Sequence, residues 1–184
     1  EHVVLMDTIS KRYSACGARL GAFVTKNKAV YDAAMKFAQA RLSPPGLAQI
    51  MGEAAVDLPA SYFDAPKAEY LARRNTLVGR LNAMPGVYCP NPGGAFYAIA
   101  RLPIDDADQF CQWLLEDFSW NNQTVMLAPA TGFYGTPGLG KNEVRLAYVL
   151  NREAINAAMD CLEKALQIYP GKQVVSEATA ISAV

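Results

Sequence analysis

An α/β fold is predicted by two features of the chain: short apolar runs that stop at polar residues, and longer segments whose apolar residues recur every three or four positions. Val3-Val4-Leu5-Met6 is such a run, and it ends in hydroxyls and a lysine. A continuous apolar run of this kind reads as a strand buried on both faces of an α/β sheet. Segments 27–41 and 47–58 carry the helical spacing and suit helices that cover a sheet. Ligands in such sheets gather at the carboxyl ends of the strands, and Lys11 falls there.

The elements follow in order. After the first strand, Gly21 lets the chain turn into a second, Ala22-Phe23-Val24-Thr25. Asn27 is an N-cap residue for the helix 27–41, with Ala29, Val30, Ala33, Ala34, Phe37 and Ala40 on its apolar stripe. Arg41 suits the end of that helix, where its charge complements the dipole, better than an anionic ligand. Ser43-Pro44-Pro45-Gly46 breaks the pattern before the helix 47–58. A long helix spans 64–82, with Asp64 as N-cap and Pro66 tolerated in the first turn. Val87–Cys89 and Ala95–Ala100 read as a hairpin joined by Pro90-Asn91-Pro92-Gly93-Gly94, with Phe96 and Tyr97 as core residues. A helix opened by Asp105 or Asp106 runs to Asp117, a strand covers 125–129, and a glycine-rich loop 130–140 lacks phosphate-loop spacing. A strand at 143–150 precedes an amphipathic helix 152–168 capped by Asn151. Pro170-Gly171 closes the fold, and 172–184 carries no clear period.

Composition narrows the function. A chain of 184 residues suits one domain, or one and a fraction, and 52% hydrophobic residues supply a core. Its 17 basic residues balance its 17 acidic ones, which argues against nucleic acid or an anionic membrane as partner. No apolar run approaches the roughly 20 residues that span a bilayer, and the start has no signal-peptide pattern. Cys16, Cys89, Cys111 and Cys161 show neither disulfide-framework nor zinc spacing, so reduced thiols in the cytoplasm are expected and no metal is. His2, the single histidine, sits at the start of the chain and is a poor catalyst.

One stretch carries the chemistry: Thr8-Ile9-Ser10-Lys11, then Ser14-Ala15, Gly17 and Arg19-Leu20-Gly21. A lysine amine forms a Schiff base with an aldehyde, and neighbouring cations such as Arg12 or Arg19 favour its neutral, nucleophilic form. A guanidinium and hydroxyls suit a phosphate. The pattern resembles the pyridoxal-phosphate attachment site of the class I aminotransferases, with Thr8 standing where Gly or Ser is usual. The resemblance implies that Lys11 is the catalytic residue and holds the cofactor, pyridoxal 5′-phosphate, with Thr8, Ser10 and Arg19 as its other contacts.

Arg145, inside the apolar strand Glu143–Leu150, is the second focus. A charge there is costly unless paired. Alone it reads as an outward-facing residue with Glu143 as its partner. The segment Asn142–Tyr148 resembles the one in which the family's arginine clamps the substrate α-carboxylate, which implies that role for Arg145. The GGAFY piece, 93–97, also resembles a family segment near the substrate.

The resemblance further implies the C-terminal portion of a fold type I enzyme. Residues 1–60 are the end of the large cofactor domain, 61–170 the interdomain helix and small α+β domain, and 171–184 a tail. It implies amino-group transfer between an L-amino acid, aspartate foremost, and a 2-oxo acid, 2-oxoglutarate foremost, in a homodimer. In one subgroup an arginine for dicarboxylates precedes the Pro-Pro segment at a place that falls near Ala38, so the substrate stays open. The family's acidic partner of the pyridine nitrogen and its ring-stacking aromatic lie earlier than this segment, so the chain alone is expected to be inactive. A regulatory sensor domain of a transcription factor, or a lyase or acyl-CoA-condensing synthase of the same fold, are the alternatives.

Overall fold

The computed structural model describes residues 2–174. They divide into two compact units, one through Tyr62 and one from Phe63 onward.

The first unit is built on a two-stranded antiparallel ladder of β1 (Val4–Thr8) and β2 (Gly21–Thr25). A four-residue helix, α1 (Ile9–Arg12), follows β1 directly. Helices α2 (Lys28–Arg41) and α3 (Gly46–Val56) complete the unit. Asn27 caps α2 as expected, its side chain accepting from the Val30 N–H at 3.1 Å. Arg41 ends α2 and is exposed. The expected strand exists, but it is not buried: Leu5 is 60% and Met6 81% exposed. Among the described residues β1 has one neighbour, and that neighbour is antiparallel. Helix α2 touches β2, yet every residue of β1 stays exposed.

The second unit is a three-stranded antiparallel sheet, order β3-β5-β4, with helices packed on one face. Its strands are β3 (Tyr97–Arg101), β4 (Ala128–Pro129) and β5 (Glu143–Ala147). Its helices are α4 (Asp64–Ala83), α5 (Ala107–Glu116) and α6 (Arg152–Ile168). Strand alternation sorts the two faces. Ala98 and Ala100 of β3 and Val144 and Leu146 of β5 point into the core with Leu81, Phe110, Leu114 and Leu162. Each large apolar side chain buried this way contributes about 1.5–3 kcal/mol. Ile99 and Arg145, paired across the ladder, lie on the opposite face with Tyr97 and Glu143. Helix α4 packs on α6, and Arg80 of α4 reaches Asp160 at 2.5 Å. Asp106 and Asn151 cap α5 and α6, accepting from Gln109 N–H at 3.0 Å and Ala154 N–H at 2.9 Å.

Four expectations are corrected. Asp64 is the first residue of α4 rather than its cap, which is Phe63. The strand expected at 125–129 shrinks to Ala128–Pro129, and the strand expected through Leu150 ends at Ala147. The hairpin of 87–89 with 95–100 does not form; Tyr88 makes one isolated bridge to Arg101. Asn82 explains why. Its side chain accepts from Cys89 N–H at 2.8 Å and donates to Cys89 C=O at 3.0 Å, so a helix residue occupies the groups a ladder needs. Pro90 then offers no donor. Of the segment 172–184, Lys172 bridges to Ile104; 175–184 lie outside the described residues.

Candidate functional site

In the first unit, Thr8 pairs with Gly21 at the end of the β1–β2 ladder, and Ile9 N–H donates to Leu20 C=O at 3.3 Å one step further. The connection from Ser10 to Arg19 therefore leaves and returns at the same end of the ribbon. Lys11 sits on its outgoing arm, in α1, and Arg19 on its returning arm. Thr8 shapes the outgoing arm by capping α1, with its hydroxyl oxygen accepting from Ser10 N–H at 3.2 Å. That hydroxyl also lies 3.0 Å from Leu20 C=O and 2.8 Å from the Ser10 hydroxyl. It has one proton. Donated to Leu20, it leaves Thr8 to accept from Ser10; donated to Ser10, it leaves the Ser10 proton for a ligand.

Arg19 holds a left-handed backbone, φ 54°, a conformation that costs about 1–2 kcal/mol for a residue with a β-carbon. Its Nη1 donates to Cys16 C=O at 3.1 Å, closing the short turn Cys16–Ala18. A guanidinium carries five N–H donors, so most of the Arg19 fork remains for an anion. Arg12, expected to act on Lys11, is paired with Asp7 at 2.7 Å on the surface. A cleft of about 370 Å³ opens beside the turn, lined among others by Asp7, Thr8, Arg12, Tyr13 and Glu53. Of the expected cofactor contacts, Thr8 lines this cleft; Ser10, Lys11 and Arg19 do not. The donor set on this one turn suits an aldehyde phosphate in its chemistry: a primary amine for the aldehyde, a guanidinium and hydroxyls for the phosphate.

In the second unit, Arg145 is half-buried on the helix-free face of the sheet. Its guanidinium carbon lies 4.6 Å from the centre of the Tyr97 ring and 4.7 Å from that of Phe133. The expected alternative partner, Glu143, is taken by another group: it accepts the hydroxyl of Tyr134. That hydrogen bond, with some desolvation and the Glu143 charge, raises the Tyr134 pKa. Among the described residues no carboxylate forms an ion pair with Arg145. Such a guanidinium carries the N–H fork that suits a planar carboxylate.

Sequence reasoning missed the two rings. Tyr97 was expected in the core, yet it is 37% exposed. Its alternation with Ala98 and Ala100, both buried, was the available signal. Phe133 lay in a loop whose glycine spacing matched no motif.

The family model described as aminotransferase class I and II matches residues 1–162. An aspartate aminotransferase of Pyrococcus horikoshii is 30% identical over 171 residues, 91% of this chain and 42% of that protein. One from Bacillus subtilis is 27% identical over 172 residues, 89% of this chain and 41% of its own length. Among solved structures, an alanine aminotransferase from Pyrococcus furiosus superposes with a TM-score of 0.74 at 30% identity, covering 88% of this chain and 41% of its own. An aspartate aminotransferase from Thermotoga maritima gives 0.75 at 27% identity, covering 91% of this chain and 40% of its own. The chain thus spans about two-fifths of the length of these relatives. With a family model matched over most of its length, the chain belongs to the class I and II aminotransferases.

Proposed function

We propose that this chain carries the lysine and the two anion-binding arginines of a pyridoxal-phosphate-dependent transaminase that acts on an L-amino acid and a 2-oxo acid. The observation that carries this reading is the closed end of the β1–β2 ribbon, with Lys11 and Arg19 on the two arms of one turn. Pyridoxal phosphate, when bound, supplies the electron sink that makes the substrate Cα–H acidic. Lys11 Nζ anchors the cofactor and, once released, takes the Cα proton as general base and returns it as general acid. Arg19 holds the phosphate through the donors its Cys16 contact leaves over, helped by the Ser10 hydroxyl, which Thr8 orients. Arg145 grips the substrate carboxylate along its N–H edge.

Aspartate with 2-oxoglutarate is the favoured pair, since several relatives are named aspartate aminotransferase. One solved relative is named an alanine aminotransferase, so alanine is the comparison substrate. The working protein is proposed to be a cytoplasmic homodimer, and the 184-residue chain alone to lack useful turnover. The protein expressed from its complete reading frame, loaded with cofactor, is assayed with aspartate and with alanine against 2-oxoglutarate. Turnover with aspartate well above alanine supports the reading. Lack of turnover with a panel of amino acids removes it. Turnover by the isolated chain equal to that of the complete protein removes the expectation for the fragment.

A further inference from the structure

Arg145 is held by more than its own strand. Tyr97 lies diagonally across the β3–β5 ladder from it, since Tyr97 pairs with Ala147 and Ile99 with Arg145. The Tyr97 ring is itself steadied by Phe96, 4.6 Å away between centres, and Phe96 packs on the core. Phe133 comes from the loop between β4 and β5. Three contacts tie that loop down. Thr131 donates its hydroxyl to Asp108 at 2.7 Å, Phe133 N–H donates to Ala130 C=O at 2.9 Å, and Tyr134 donates to Glu143. The two rings thus reach the guanidinium from separate segments, Tyr97 from β3 and Phe133 from the loop before β5.

We propose that Phe133 and Tyr97 are positioning residues that together hold the Arg145 guanidinium in place for a carboxylate. The inference rests on the proposed role of Arg145 as substrate clamp. Both ring centres lie within about 6 Å of the cation, the range in which a ring face attracts it. A guanidinium held by two rings is pre-organised for a planar carboxylate, to which its N–H fork can give two parallel hydrogen bonds. A mobile guanidinium loses part of that pre-organisation and pays ordering entropy on each binding event. The loop anchors then do a job at a distance: the Tyr134–Glu143 bond keeps Phe133 on the cation and keeps Glu143 from competing with substrate for it.

The test is calorimetric binding of 2-oxoglutarate to the cofactor-loaded protein from the complete reading frame, with steady-state kinetics beside it. Phe133→Leu and Tyr97→Leu are each expected to weaken binding about three- to thirtyfold. The KM for 2-oxoglutarate rises by a similar factor while kcat changes little, the pattern of a lost binding contact. Phe133→Tyr and Tyr97→Phe keep a ring and restore most of the affinity, which a loss of folding or of apolar packing in general does not produce. Both side chains are more than one-third exposed, so the leucine variants keep the core. Circular dichroism melting checks this. Arg145→Gln separates the two readings. If it leaves binding unchanged, or the parent does not bind 2-oxoglutarate, the clamp itself is wrong. If Arg145→Gln abolishes binding while the leucine variants bind like the parent, the clamp stands and the positioning role is refuted.

Discussion

Gly21 lies so near Asp7 that a β-carbon at position 21 would stand 2.7 Å from the Asp7 carbonyl oxygen. The two residues flank the end of the ladder where the Lys11–Arg19 turn begins and returns. Only glycine allows the strands to close there, so the spacing of the two cations depends on a missing side chain.

Gly21→Val forces the strands apart at this end. Overpacking of this sort costs about 1–3 kcal/mol. Urea unfolding of the complete protein is expected to show that loss, with a parallel fall in cofactor affinity. Unchanged stability and affinity contradict the placement of the turn.

Arg19→Ala removes the charged donors assigned to the phosphate. Hydrogen bonds to charged groups are worth about 1.5–3 kcal/mol, so the cofactor dissociation constant rises about ten- to a hundredfold. Absorbance titration with pyridoxal phosphate reads it. Arg19→Lys recovers part of the loss, because an ammonium keeps the charge without the fork. Equal affinity in all three proteins removes Arg19 from the phosphate site.

Asn82→Ala strips both backbone groups of Cys89 of their partner, and Cys89 is 1% exposed. Leaving buried polar groups unsatisfied costs about 1–3 kcal/mol each. A fall in melting temperature is expected, with the signature turn and its cofactor affinity unaffected. A variant as stable as the parent shows that 87–89 finds another pairing.

Alkaline pH tests the core of the second unit. Burial pushes the Cys89 thiol up to about 11 from the ordinary 9.0. Cys111 is also raised to about 11, by burial first and the Asp108 charge second. Folding favours the protonated thiols, so their contribution is whole below pH 9, where the unfolded thiols are still protonated, and is lost as pH rises through 11. Tyr169, raised to about 12 by burial and its hydrogen bond to Asp105, follows the same sign between pH 10 and 12. Urea midpoints are expected to hold to about pH 9 and then decline, and Cys89→Ala with Cys111→Ala flattens the decline. A midpoint independent of pH between 8 and 11 contradicts the assignment.

What the sequence revealed and what it hid follow one rule. Helices α2, α5 and α6 were legible because Asn27, Asp106 and Asn151 cap them locally and their apolar stripes repeat locally. The signature turn was legible because its chemistry is written in consecutive residues. Strand partners were not: β3 pairs with β5 across more than forty residues instead of with 87–89, and no local pattern encodes the competition from Asn82. The burial of β1 was misread for a related reason: an apolar run does not encode its partners, and the one antiparallel neighbour among the described residues leaves β1 exposed. The rings on Arg145 were hidden because Phe133 and Tyr97 reach it from separate segments.

The most direct measurement concerns Lys11. The complete protein is loaded with pyridoxal phosphate, reduced with borohydride, digested and read by mass spectrometry. A phosphopyridoxyl adduct on the peptide bearing Lys11, absent from Lys11→Ala, is the predicted result. An adduct confined to another lysine, or the same adduct pattern in Lys11→Ala, contradicts the account at its base.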